Sequence, residues 1–144
     1  MSRVKIRLPE LKVFETEITV MNSDINYGSH LGNDRVLAYM QETRLRYFQS
    51  LGYRDELQIE GVGTIQADAM IEYRGEAFQA DRIKCELFIG EIGKRSIDFY
   101  YLLSQAKSEQ VVAKGKTGIA FYDYRLGSTV SVPSEFLEKV DQKK

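Results

Sequence analysis

Two side chains that build most metal and disulfide chemistry are nearly missing from this chain: its 144 residues contain one cysteine, Cys85, and one histidine, His30. A lone cysteine excludes an internal disulfide, and the two together cannot make an ordinary zinc site. Carboxylate-only magnesium binding is the metal chemistry left open, and no cofactor is expected. Charge of one sign is not in excess either, with 20 basic and 21 acidic residues spread along the chain and a net charge of −1. No field therefore selects nucleic acid or an anionic membrane as partner, and neither is expected. Apolar runs are only a few residues long, too short for a membrane span. The N-terminal stretch, where Arg3, Lys5 and Arg7 alternate with Val4, Ile6 and Leu8, lacks the apolar core of a secretion signal. The expectation is a cytoplasmic protein that meets its partners at a local site.

What is present fits one domain over residues 1–144, long enough to bury roughly 70% of the surface that the unfolded chain exposes. Val13, Phe14, Thr16, Ile18, Thr19 and Val20 give residues 11–21 the partly alternating pattern of a strand. From 35 to 51 the apolar residues Val36, Leu37, Met40, Leu45, Tyr47, Phe48 and Leu51 recur at three- and four-residue steps. That spacing predicts the one long helix, about 17 residues by the 3.6 period, capped by Asn33 or Asp34 and stopped at Gly52. Four more strand-like runs follow at 62–73, 82–89, 95–104 and 110–124 in meander spacing, and a short helical turn begins at Ser134. The prediction is an α+β fold in which one long helix packs on a five-stranded antiparallel sheet. One helix covers only part of such a sheet, so pairing of two chains is the economical way to complete it.

The residues best suited to chemistry lie between the first strand and the helix, in the polar stretch Asn22-Ser23-Asp24-Ile25-Asn26-Tyr27-Gly28-Ser29-His30-Leu31-Gly32-Asn33-Asp34. Histidine exchanges protons near neutral pH. A helix N-terminus immediately after it offers backbone N–H groups and a positive dipole end to a developing anion.

These residues resemble those of the hot-dog-fold acyl thioesterases, the superfamily that includes hydroxybenzoyl-CoA thioesterase and the plant acyl-ACP thioesterases. Many members carry Asp-x-Asp-x-x-Gly-His-Val-Asn-Asn before the helix; the matching residues are Asp24, Asn26, His30, Leu31 and Asn33. Tyr73-Arg74-Gly75-Glu76 is similar to the Tyr-Arg-Arg-Glu of the acyl-ACP group, whose glutamate is assigned a catalytic role. The chain departs from the pattern where Asn26 replaces the second aspartate, because an amide neither takes a proton at neutral pH nor serves as a carboxylate nucleophile. Ser29 stands at the loop glycine, Gly32 at the first asparagine of the pair, and Gly28 where the acyl-ACP group has an asparagine.

The resemblance implies hydrolysis of an acyl-CoA or acyl-ACP thioester by a homodimer or homotetramer, in a site between subunits. In that reading His30 and Glu76 carry the proton traffic, Asp24 or Asn26 orients His30 or the water, and the N–H groups around Gly32 and Asn33 polarise the substrate carbonyl. Two alternatives stay open. An (R)-specific enoyl-CoA hydratase of the same fold has Asp-x-Asn-Pro-x-His, which Asp24-Ile25-Asn26-Tyr27-Gly28-Ser29-His30 resembles with the histidine one residue late. A non-catalytic acyl-thioester binder is the other, favoured by Asn26. Lys94, Arg95, Lys114 and Lys116 are candidates for meeting coenzyme A phosphates, whereas Cys85 reads as a buried, inert thiol.

Overall fold

The computed structural model of the protein describes residues 1–142. Strand β1 spans Leu11–Thr19, helix α1 Asn33–Ser50, β2 Gly63–Tyr73, β3 Arg82–Ile92, β4 Ser96–Gln105, β5 Val111–Asp123, β6 Ser128–Thr129 and α2 Ser134–Gln142. All strands pair antiparallel in one sheet of order β1-β3-β4-β5-β2, and the two-residue β6 adds to the end of β5. The α+β class and the helix-on-sheet arrangement are as expected. The sheet gains a sixth strand, and the predicted final turn is a nine-residue helix.

The strand neighbours correct one expectation. Only β3, β4 and β5 form a meander; β2 lies beyond β5, at the far edge of the sheet from β1. The connections explain why. Residues 93–95 and 106–110 join β3 to β4 and β4 to β5, lengths that close hairpins. Residues 74–81 are too many for a tight hairpin and instead carry the chain across the sheet.

Along β3 the residues Ile83, Cys85, Leu87 and Ile89 point into the core and alternate with more exposed neighbours, and on β4 Ile97, Phe99, Tyr101 and Leu103 do the same. This two-residue period makes one face of the sheet apolar. Helix α1 lies on that face with Val36, Tyr39, Met40, Thr43, Tyr47 and Phe48 buried. Its approach depends on Gly115 of β5, where an added Cβ would stand 2.5 Å from Sδ and Cε of Met40. Phe136 of α2 closes the core against Phe48, Tyr53 and Phe121, with ring centroids 5.6–6.1 Å apart, and each such pair adds about 0.5–1.5 kcal/mol beyond its buried area. Cys85 is fully buried, and its thiol is pushed up to about 12 by desolvation, so it is inert.

One predicted detail of α1 differs. The N-cap is Gly32, with no side-chain capping bond, rather than Asn33 or Asp34, both of which lie inside the helix. The end agrees with expectation: Gly52, at φ +97°, turns the chain out of the helix in the left-handed conformation that glycine adopts without strain.

Candidate active site

The crossing segment 74–81 passes beneath the polar loop and is stitched to it at two points. Ala80 N–H donates to Val20 O and Val20 N–H to Asp81 O, both at 2.9 Å, and farther on Leu31 N–H donates to Ala77 O at 2.7 Å. His30 and Glu76 are the residues immediately preceding Leu31 and Ala77. The last of these bonds therefore brings both side chains to one cleft of about 470 Å³, lined also by Asn26, Asn33, Val36, Tyr73 and Val112. Leu31, Val36, Ala77 and Val112 give it an apolar wall, and Glu76 stands exposed at its mouth.

The histidine is aimed by its own loop. Its Nδ1 lies 3.1 Å from Leu31 O; a carbonyl only accepts, so Nδ1 carries the hydrogen of this bond, and in the neutral ring Nε2 is then the acceptor. The ring then lies over Gly28, where an added Cβ would be 3.0 Å from Nε2. The loop geometry behind this comes from Asn26. Its Oδ1 accepts the Gly28 N–H at 2.9 Å, its carbonyl accepts the Ser29 N–H at 3.0 Å, and its own N–H donates to His30 O at 3.0 Å. Ser29 sits at φ +66°, the left-handed conformation in which the family motif places glycine.

Asp24 has a different occupation from orienting His30. Its carboxylate is buried and accepts the Tyr39 hydroxyl at 2.6 Å, Arg35 Nε at 3.0 Å and the Met21 N–H at 3.1 Å. Burial alone would raise this carboxyl, but the bonds from Tyr39, Met21 and Arg35 outweigh it and hold Asp24 below the ordinary aspartate range. Asp24 thus anchors the loop to the helix. The residues that hold it were not singled out from the sequence, although Arg35 and Tyr39 are four apart and so share one helix face.

The N–H groups left free at the helix start also differ from expectation. Gly32 N–H is already donated to Asp24 O at 3.0 Å, while Arg35 N–H turns back to Gly32 O. Among the described residues the N–H groups of Asn33 and Asp34 have no acceptor, so the expected pair of Gly32 and Asn33 moves one residue into the helix. Tyr73 fixes this end from the other wall by donating its hydroxyl to Asn33 O at 2.9 Å. Among the described residues no group of three His, Cys, Asp or Glu is placed to hold a metal ion. Nor, among the described residues, is any helix long and apolar enough to cross a membrane.

The profile of the thioesterase-like superfamily matches residues 20–140, from the end of β1 through α2. The chain belongs to that superfamily. It is a hydrolase of thioester bonds, and its fold is the hot-dog fold. Among solved structures it is similar to Slr0204, a 1,4-dihydroxy-2-naphthoyl-CoA thioesterase from Synechocystis, at 19% identity over 89% of this chain and 95% of that one, with a TM-score of 0.80. A DHNA-CoA thioesterase from Staphylococcus aureus matches at 14% identity over 89% and 88% of the two chains, TM-score 0.79. SAV2348 from Staphylococcus aureus, solved in complex with CoA, matches at 13% identity over 97% and 87%, TM-score 0.79. At such identities these likenesses establish the fold alone. No curated protein matches the chain.

Proposed function

We propose that this thioesterase-like protein hydrolyses an acyl-CoA thioester in the cleft between the His30 loop and Glu76. The observation that supports the reading is the Leu31–Ala77 hydrogen bond, next to which His30 and Glu76 line one cleft near the start of α1. In this mechanism Glu76 takes a proton from water, His30 Nε2 accepts the second hydrogen and orients the nucleophile, and hydroxide adds to the thioester carbonyl. The oxyanion meets the unshared N–H groups of Asn33 and Asp34 at the positive end of α1. The tetrahedral species then breaks its C–S bond, releasing the acid and a thiolate that takes up the proton. Asn26 shapes the loop, and Asp24 holds it through Tyr39 and Arg35. Coenzyme A as carrier is supported by the relative solved with CoA and by the CoA-thioesterase names of the others.

We further propose a homodimer formed through β2. Among the described residues that strand pairs only with β5 and its other edge is unpaired, and Ile65 and Met70 are 42% exposed on it. An open apolar edge of this length is a surface that proteins cover. Two copies meeting antiparallel would do so with a self-complementary contact.

The test is thiol release from a panel of acyl-CoAs. Glu76→Gln and His30→Ala are each expected to lower kcat at least about 100-fold, the scale of an acid–base group. Wild-type rates in both variants would overturn the assignment. Hydration of an enoyl-CoA without thiol release, or tight binding with neither reaction, would replace it by one of the two alternatives.

A further inference from the structure

Helix α1 presents one row of side chains to two clefts. Asn33, Leu37, Gln41 and Arg44 follow one another at steps of four, four and three residues and so share a helix face. Asn33 lines the cleft of His30 and Glu76, whereas Leu37, Gln41 and Arg44 line another of about 500 Å³ between α1, β2 and the loop that precedes β2. Strand β2 follows the same course. Gly115 of β5 faces Met40 of α1, so its register partner Ile71 faces the helix, and two-residue alternation puts Tyr73 and Ala69 on that side as well. Tyr73 lines the first cleft, and Gln66, past the register shift in β2, lines the second. Between the two clefts the helix row and the strand face present Leu37, Ala69 and Ile71, an apolar path.

The far end of this path is polar. Arg44 is 4% exposed; its Nε donates to the Glu56 carboxylate, and its Nη1 donates to the Tyr101 hydroxyl at 2.8 Å and reaches Thr117 Oγ1 at 3.4 Å and Gln66 Oε1 at 3.5 Å. The Tyr101 and Thr117 hydroxyls are themselves bonded at 2.6 Å. Among the described residues Arg44 Nη2 donates to nothing. The Tyr47 hydroxyl is the one fully enclosed side-chain polar atom without a partner among those residues. Nη2 is therefore not enclosed, and the space beside it is the cleft that Arg44 lines. Gln66 turns its amide oxygen to Arg44, and among the described residues its amide nitrogen has no acceptor either. Apolar side chains in place of a buried ion pair are often neutral or stabilising, so packing alone does not call for an arginine here.

We infer that Arg44, assisted by Gln66, reads the far end of the acyl group, and that the preferred acyl chain carries a neutral oxygen there, a hydroxyl or a ketone, which accepts from Nη2. This rests on the thioester reading of the first cleft, which puts the reacting carbonyl at Asn33. Arg44 lies eleven residues beyond Asn33, roughly 16 Å along the helix axis, and helical side chains lean toward the N-terminus, which shortens the interval. A chain of decanoyl length spans it, and a single aromatic ring does not. The charge of the acceptor is set by Glu56, which already neutralises the guanidinium and would repel a second carboxylate. A plain alkyl end would cover Nη2 and leave it without an acceptor, the loss by which a site built for an oxygen rejects the analogue that lacks one.

The experiment is calorimetric titration of the full chain with two unreactive thioethers, S-decyl-coenzyme A and S-(ω-hydroxydecyl)-coenzyme A. The hydroxyl is expected to tighten binding to the wild type at least about tenfold, or about 1.4 kcal/mol. Removing one member of a buried pair strands the other, so the variant replaces both: in Arg44→Met/Glu56→Leu the two thioethers should bind within about twofold of each other. Gln66→Met leaves the pair intact, keeps the fold in any case, and should narrow the preference. Equal affinities in the wild type would overturn the inference, and so would a preference that both variants retain. Tighter binding of the ω-carboxy thioether than of the hydroxy one would overturn the neutral acceptor. A wild type without preference whose Arg44→Met/Glu56→Leu variant sediments as a smaller species would overturn it by giving Nη2 to a second copy of the chain. Because neither thioether can be hydrolysed, a wild type that prefers the hydroxyl but releases no thiol from any acyl-CoA would defeat the hydrolysis reading and leave this one standing.

Discussion

Placing a methyl group at Gly28 tests whether the histidine's position, and not only its presence, drives the reaction. Gly28 is absent from the positive-φ glycines, so alanine fits the backbone there and the perturbation is confined to the added Cβ. That atom would lie 3.0 Å from His30 Nε2, 3.4 Å from His30 Cδ2 and 3.2 Å from Asn26 Oδ1. The ring must retreat by about half an ångström to restore ordinary contact, pivoting on the Nδ1 bond to Leu31 O. A misplacement of about 1 Å costs on the order of 100-fold in rate, so a shift half as large should lower kcat about tenfold. KM for the acyl-CoA should stay within about twofold. The loop is at the surface, and its stability cost should be within about 0.5 kcal/mol, or about 2 °C in Tm for a chain of this size. Steady-state thiol release and a thermal melt on the same preparation measure all three quantities. The decisive control is the same substitution made in His30→Ala, where it should cause no further loss. A wild-type kcat for Gly28→Ala, or an equal loss in both backgrounds, would refute the reasoning.

Other outcomes follow from single contacts. Asp24→Asn keeps the shape but removes the charge that holds Tyr39 and Arg35, and should cost about 1–3 kcal/mol at neutral pH. Because the folded pKa of Asp24 lies below its ordinary 3.8, the native carboxylate contributes stability above that value and loses it as pH falls through the folded pKa. The wild-type advantage in denaturant midpoint should therefore be constant above about pH 5 and shrink in more acidic solution; a difference independent of pH would contradict it. Among the described residues the buried Tyr47 hydroxyl has no hydrogen-bond partner, so Tyr47→Phe should be neutral or stabilising by up to about 1 kcal/mol, and clear destabilisation in a urea melt would show that the hydroxyl is bonded. Gly115→Ala drives a Cβ to within 2.5 Å of Met40 and should cost about 1–3 kcal/mol from overpacking. Met40→Ala in the same chain should relieve that clash, and additive losses would show that it does not exist.

The elements legible in the sequence are those with local causes. The helix from Asn33 and the strands from Leu11, Gly63, Arg82, Ser96 and Val111 were visible because their apolar spacing is a property of neighbouring residues. The strand order was not visible, since a run such as 63–73 carries no mark of its partner; only the eight residues between β2 and β3, too many for a tight hairpin, hinted that β2 pairs elsewhere. The helix cap was misread for a related reason. Asn33 and Asp34 are good capping residue types, but Gly32 takes that place because its N–H is bonded to Asp24 O and its carbonyl accepts Arg35.

The residue types that chemistry needs were determined by the sequence alone. With one histidine, one cysteine and an asparagine where a relative would carry an aspartate, the chain offers a single imidazole, His30, and no carboxylate at position 26 of its loop. That Glu76 lines the same cleft as His30, that Asp24 is spent on Tyr39 and Arg35, and that the Gly32 N–H is taken by Asp24 O were decided only by tertiary structure. The reason is that side-chain chemistry is carried by each residue, whereas a free lone pair or an unshared N–H is what folding leaves over. Forty-six residues apart in the chain, His30 and Glu76 come to line one cleft beside the backbone bond from Leu31 to Ala77.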